Sequence, residues 1–147
     1  MKEVNFVPIS HNALSLYAEV CKPVCRELEI PQTAFDILMY IAEHDEYTTA
    51  KKIVELCGIK KNLVSMNVEK LVQQGYITRK EDPCDRRSVR LELTDKASAI
   101  VAKGKRVQKY YFEFLVKGLS EEDLEVYRKC TETISSNMDE LQKELKK

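Results

Sequence analysis

Two clusters of polar residues near the middle of the chain have the types and spacing to hold a polyanion. The first is Lys60, Lys61, Asn62, Ser65 and Lys70. A carboxamide such as Asn62 donates and accepts at once and so matches the paired donor and acceptor edge of an adenine, while Ser65 suits a base or a phosphate, and the lysines add attraction that ignores sequence. The second cluster is Asp85-Arg86-Arg87, followed by Arg90. A guanidinium carries five donors in a fixed fork, and a carboxylate two residues away can hold one through charge-assisted hydrogen bonds. Catalytic chemistry is poorly supplied by comparison. The only histidines are His11 and His44, no Ser/His/Asp or His-Glu-x-x-His arrangement occurs, and four scattered glycines build no phosphate loop, so the chain is read as not being an enzyme.

Five cysteines, at positions 21, 25, 57, 84 and 130, are odd in number and spread along the chain, which does not suit a secreted disulfide framework. Reduced thiols are expected. Cys21 and Cys25 have three residues between them, unlike a Cys-x-x-Cys redox motif, and no further ligands for zinc lie nearby, so neither a metal nor a cofactor is expected. At i and i+4 on one helix the two thiols are still neighbours, which makes them redox candidates. Both also fall on an apolar stripe, where a buried thiol is usually inert packing.

With 147 residues, 44% apolar and 33% charged, the chain fits a single domain that can bury a core. No apolar run approaches the roughly 20 residues of a membrane span, and Met1-Lys2-Glu3-Val4-Asn5 does not open a signal segment, so a cytoplasmic protein away from the membrane is expected. Net charge is zero but unevenly spread. Residues 48–94 hold ten Lys/Arg against six Asp/Glu, and the flanks hold 14 against 18. A weakly basic centre therefore lies between acidic flanks.

The elements that must position these residues follow from periodicity. Leu14, Tyr17, Cys21, Val24, Cys25 and Leu28 recur at three- and four-residue steps and mark one helix, which Pro23 should bend. Pro31-Gln32-Thr33 opens a second helix that buries Phe35, Leu38, Met39 and Ala42. Thr48 or Thr49 caps a short third helix carrying Ile53, Val54 and Cys57, which Gly58 stops. Ile59 to Gln74 reads as a fourth helix with Val64, Val68 and Leu71 on its inner side, closed by Gly75. Two short helices joined by a tight Gly turn make a helix-turn-helix. From Tyr76 to Thr94 the period changes to two. Tyr76–Lys80 and Ser88–Leu93 flank the turn residues Glu81–Asp85, which predicts a β-hairpin with Val89, Leu91 and Leu93 inward and Arg86-Arg87 at its tip. An arginine at such a tip can enter a narrow minor groove, where negative potential concentrates. A long helix over about Asp95–Val116, with Ile100, Val107, Tyr111 and Phe114 or Leu115 buried, precedes a last helix capped by Ser120. In that helix Tyr127, Ile134, Met138, Leu141 and Leu145 are seven, four, three and four residues apart, a nearly heptad seam that suggests a helix–helix interface.

This order of elements resembles the MarR (multiple antibiotic resistance regulator) family over nearly the whole chain. The specific part is Leu71-Val72-Gln73-Gln74-Gly75-Tyr76-Ile77, then Asp85-Arg86-Arg87-Ser88-Val89-Arg90-Leu91-Glu92-Leu93-Thr94. It matches a recognition helix ending in Leu-x-x-x-Gly and a wing signature Asp-x-Arg-x-x-x-Leu-x-Leu-Thr.

The resemblance implies a mainly α fold with a small β-wing, in which a winged helix-turn-helix lobe (31–95) sits between dimerisation helices (1–30 and 96–147) of a single domain, 1–147. It implies a homodimer on a pseudo-palindromic operator in double-stranded DNA, with Phe6, Val7 and Ile9 joining the dimer contacts. Arg87 would enter the minor groove, Asp85 would hold it, and Arg86 or Arg90 would bind phosphates. Met66 stands where members of the family often place a polar or basic residue, so base preference does not carry over. The resemblance further implies a repressor released by a small aromatic or phenolic effector, in a cleft that Tyr17, Met39, Tyr40, Tyr47 and Tyr111 would line. The alternatives are a regulator of the same fold that senses oxidants through Cys21 and Cys25, and a winged-helix module that binds protein and not DNA.

Overall fold

The computed structural model describes residues 6–44, 48–81 and 88–146, with side chains from Ser10 onward. Phe6, Val7 and Ile9 as dimer contacts therefore lie outside the described side chains. The apolar spacing of the N-terminal flank winds into α1 (Phe6–Glu27), a helix with Pro23 inside it. α1 ends because Glu29 takes a left-handed conformation, with φ 54°. The Ile30 amide then donates back to the Cys25 carbonyl at 3.0 Å and the Glu29 amide to Arg26 at 3.2 Å, which satisfies carbonyls that a helix end leaves open. The chain turns directly into α2 (Gln32–Glu43) behind Pro31, whose fixed φ suits a helix start.

α2 is the centre of the core. Ala34, Phe35, Ile37, Leu38, Met39 and Ile41 are all buried, so it is apolar on most of its circumference, as a helix covered on several sides must be. Ala42, expected among them, is only half-buried. Cys21 and Cys25 of α1, Ile53, Val64, Val68 and Leu71 of the helix-turn-helix, Ile77 and Leu91 of the hairpin, and Ala97 and Ile100 complete one buried cluster.

α3 (Ala50–Cys57) is capped by Thr49, whose hydroxyl accepts from the Lys52 amide at 3.2 Å, and it ends at Gly58, with φ 63°. The next helix, α4 (Lys61–Gln73), starts two residues later than the apolar pattern predicts. Gly58, Ile59 and Lys60 form the turn, and Lys60 takes the extended N-cap conformation, with φ −58° and ψ 138°. At the other end the amides of Gly75 and Tyr76 donate to the carbonyls of Val72 and Leu71, both at 2.9 Å, around a glycine with φ 77°. That left-handed turn delivers the chain straight into β1.

β1 (Ile77–Glu81) and β2 (Val89–Leu93) pair antiparallel, from Ile77 opposite Leu93 to Glu81 opposite Val89. The segment before α3 adds a short third edge. Thr49 bridges Arg90, and the Leu91 amide donates to the Thr48 carbonyl at 2.8 Å. The expected inner face holds only in part: Leu91 is buried and Leu93 half-buried, but Val89 is 46% exposed, because the outer half of the hairpin runs past the core.

A 3-10 turn (Asp95–Ala97) leads into α5 (Ser98–Leu115), and Ser120 caps α6 (Glu121–Leu145) in a reciprocal capping box with Asp123. The chain separates into two compact units, residues 1–111 and 112–147. The buried stripe expected of α5 is real at Ile100 and half-buried at Val107 and Tyr111. Phe114 and Leu115, in the second unit, are exposed. So is the whole seam of α6, from Tyr127 to Leu145. Leu14 of α1, expected on the packed face, is likewise 72% exposed.

Candidate nucleic-acid interface

α4 turns one side inward, through Val64, Asn67, Val68 and Leu71. Asn67 is buried without penalty because its amide donates to the Leu63 carbonyl at 2.8 Å. The opposite side carries Lys61, Asn62, Ser65, Met66, Glu69 and Lys70, all exposed. At 3.6 residues per turn, Lys61 and Lys70 lie roughly 180° apart and bracket the other four. A helix in the major groove meets base edges along the middle of such a face and the two phosphate walls along its margins. The structure thus brings together Lys61, Asn62, Ser65 and Lys70 of the sequence-derived set. Lys60 sits at the exposed N-cap, beside that face and outside the helix.

The wing is tied to the C-terminal end of α4. The Thr94 amide donates to the Tyr76 carbonyl at 3.0 Å, the Thr94 hydroxyl to the Gly75 carbonyl at 2.6 Å, and Lys96 Nζ to the Gln74 carbonyl at 2.7 Å while lying 4.8 Å from the Tyr76 ring centroid. A lysine there also opposes the negative end of the helix dipole. Thr94 of the wing signature, together with Lys96, therefore fastens the hairpin to the end of the helix. Arg90 is half-buried between β1 and the Thr49 segment. Asp85, Arg86 and Arg87 lie outside the described residues.

One pair on this surface is absent from the sequence-derived set. Arg79 Nη2 donates to Glu69 Oε2 at 2.7 Å, linking β1 to the middle of the exposed α4 face. Strand alternation was the available signal: Arg79 is two residues from the buried Ile77, hence on the core side of the hairpin, where the sheet outruns the core and meets α4.

Residues 28–88 match a family model described as MarR family. Residues 28–88 belong to the MarR family. Around that segment the described residues carry the MarR winged-helix fold. A MarR family transcriptional regulator from Listeria monocytogenes, solved in complex with 26mer DNA, is similar with a TM-score of 0.78 at 20% identity, over 94% of this chain and 90% of its own. A MarR protein from Peptoclostridium difficile gives 0.73 at 20% identity, over 95% and 92%. A crystal structure of MarR gives 0.77 at 17% identity, over 98% and 97%. These solved relatives bear out the mainly α fold with a small wing. No helix among the described residues is long and apolar enough to cross a membrane, and none of their His, Cys, Asp and Glu residues form a group of three that could hold a metal ion.

The residues expected to line a MarR-type effector cleft are distributed as follows. Tyr17 and Tyr111 meet edge to face, with ring centroids 5.3 Å apart, and the Tyr111 hydroxyl donates to the Ala13 carbonyl at 2.6 Å. Met39 is buried beneath Gly104, Tyr40 stacks on His44 at 4.2 Å, and Tyr47 lies outside the described residues. None of the four described residues, Tyr17, Met39, Tyr40 and Tyr111, lines the cavity of about 350 Å3 between α3 and α4, which is walled by Ala50, Val54 and Val64 with Lys51, Glu55, Lys61 and Ser65. Cys21 and Cys25 are buried and free. Burial pushes the Cys21 thiol up and the Cys25 thiol up to about 11, and a thiol held protonated is a poor nucleophile towards oxidants.

Burial likewise raises the Asp36 carboxyl above its ordinary value, although the Gln32 amide, donating to it at 2.8 Å, pulls the other way. The native state therefore binds this proton more tightly than the unfolded chain does. Asp36 lowers stability where it must ionise, and that penalty disappears as pH falls through its raised pKa. Asp36→Asn is expected to melt above the parent protein at neutral pH, with a margin that shrinks steadily on acidification in thermal melts. A margin constant with pH would contradict this assignment.

Proposed function

We propose that the chain is a sequence-specific regulator of transcription that binds a pseudo-palindromic operator in double-stranded DNA as a homodimer, and that it is a repressor released by a small aromatic or phenolic effector. The observation that carries the DNA reading is the exposed face of α4, where Asn62 and Ser65 stand between lysines on opposite margins, with a hairpin anchored at the C-terminal end of the same helix. The complex of the Listeria relative with DNA supports it. On this reading α4 enters the major groove, Lys60, Lys61 and Lys70 meet phosphates, Asn62 and Ser65 meet base edges, and Arg90 assists from the wing. Arg87 at the wing tip enters the minor groove, held by Asp85, and Arg86 takes a phosphate. Helices on both flanks, 1–30 and 96–147, form the dimer, which sets two half-sites about one helical turn apart.

Selection of bound duplexes from a random pool tests the proposal. A palindrome should be enriched, and affinity for it should fall steeply as salt rises, since each phosphate neutralised releases counterions. Arg87→Ala should weaken binding to the selected duplex on the order of tenfold and leave the melting temperature within about a degree. Recovery of no preferred duplex, or binding indifferent to salt, would turn the reading towards a protein-binding winged helix.

A further inference from the structure

The middle of the exposed α4 face holds an acid, which is out of place on a surface that meets a polyanion. Glu69 is half-exposed and lies between Lys61 and Lys70 around the helix, on the same side as Asn62 and Ser65. Among the described residues its two oxygens are each engaged once: Oε2 accepts from Arg79 Nη2 at 2.7 Å, and Oε1 accepts from Gln73 Nε2 at 3.3 Å. An ionised carboxylate offers about four acceptor positions, so outward lone pairs remain on both oxygens. The guanidinium beside it keeps Glu69 below the usual carboxylate range, so it stays ionised and can only accept. Exposed ion pairs add little to stability, which leaves the Arg79–Glu69 pair without an adequate stabilising role. What the pair does achieve is to cancel the charge that would repel phosphates while fixing a pure acceptor on the face turned to the groove.

We propose that Glu69, clamped by Arg79, reads the operator by accepting a hydrogen bond from the exocyclic amino group of a cytosine in each half-site. The assignment rests on the DNA-binding reading above. In the major groove cytosine presents a donor at N4, whereas thymine presents O4 and guanine presents N7 and O6, all acceptors that a carboxylate repels. Adenine offers a donor beside an acceptor and suits a carboxamide better. Glu69 is therefore the base-reading group, and Arg79 a positioning residue that acts through it.

The test compares duplexes selected by the parent protein with those selected by Glu69→Gln and Arg79→Ala. The parent should show one position per half-site with cytosine favoured over thymine and guanine. In Glu69→Gln that preference should fall about tenfold, with preferences at the other positions and the melting temperature unchanged. In Arg79→Ala the same position should blur by several-fold, and Arg79→Lys should restore part of it, a pattern that general loosening of the wing would not confine to one base pair. Identical cytosine preference in the parent and Glu69→Gln, or a parent palindrome with no cytosine preference, overturns the assignment while leaving DNA binding intact. Failure of the parent to enrich any duplex overturns both.

Discussion

Aspartates in place of Ile134 and Leu141 are expected to give a monomer that binds a single half-site as the parent does but loses on the order of 100-fold or more in affinity for a duplex carrying two. α6 runs 25 residues, from Glu121 to Leu145, with no buried residue. Five of its exposed apolar side chains, Tyr127, Ile134, Met138, Leu141 and Leu145, fall on one seam, from Tyr127 at 55% exposure to Leu145 at 79%. Within the same unit a cavity of about 430 Å3 is lined by Phe112, Leu124 and Tyr127 with Glu121, Glu125, Arg128 and Thr131. An apolar row of this length contributes its stabilising energy only when something covers it, and a second copy of the same helix has the matching period. Two-fold symmetry would set each new carboxylate near its own copy, out of water and beside a like charge, which is costly for both. Loss of the dimer converts the second half-site contact from an intramolecular event into an independent one. Sedimentation at micromolar concentration and titration of one-site and two-site duplexes give the readout together. A double variant that stays dimeric, or a monomer with unchanged two-site affinity, would show that this seam does not hold the reading heads together.

Local chemistry was the part of this protein written plainly in its sequence. Thr49, Gly58, Gly75 and Ser120 act within a few residues of themselves, capping a helix or turning it left-handed, so residue type alone located the C-terminal ends of α3 and α4 and the start of α6, and narrowed the start of α3 to Thr48 or Thr49. Alternation located the hairpin for the same reason. What lay further apart was harder. The bridge from Thr49 to Arg90 and the ion pair from Glu69 to Arg79 join segments whose proximity depends on how α3, α4 and the wing pack, and no periodicity reports that. Periodicity also overstated the core: Leu14, Val89, Phe114 and Leu115 are expected on packed faces and are exposed, because a pattern shows only that a face is apolar and not what covers it. For the wing, Leu91, Leu93 and Thr94 proved to be structural members of a motif whose remaining members, Asp85 and Arg87, lie outside the described residues.

Gly104 is the clearest case of a residue that sequence left mute and packing explains. It is buried on α5, and a Cβ built there would lie 2.2 Å from Met39 Sδ, 3.0 Å from Met39 Cε and 3.1 Å from Phe35 Cζ. Its lack of a side chain is therefore what lets α5 close on α2, where Phe35 and Met39 are almost wholly buried and have little room to withdraw. Gly104→Leu puts four heavy atoms into that occupied space. Overpacking typically costs 1–3 kcal/mol and more where the neighbours are fixed, so a loss of about 3 kcal/mol or more, and a fall in melting temperature of roughly 10 °C, are expected at matched protein concentration. Met39→Ala alone should also destabilise, by about 2–5 kcal/mol, because it leaves a cavity. Combined with Gly104→Leu, however, the truncation vacates the volume that the leucine needs. The double variant should then be distinctly more stable than the sum of its single costs requires, a coupling that denaturant titrations of the four proteins would measure. Strict additivity, or a Gly104→Leu protein that melts with its parent, would show that α5 does not depend on this contact.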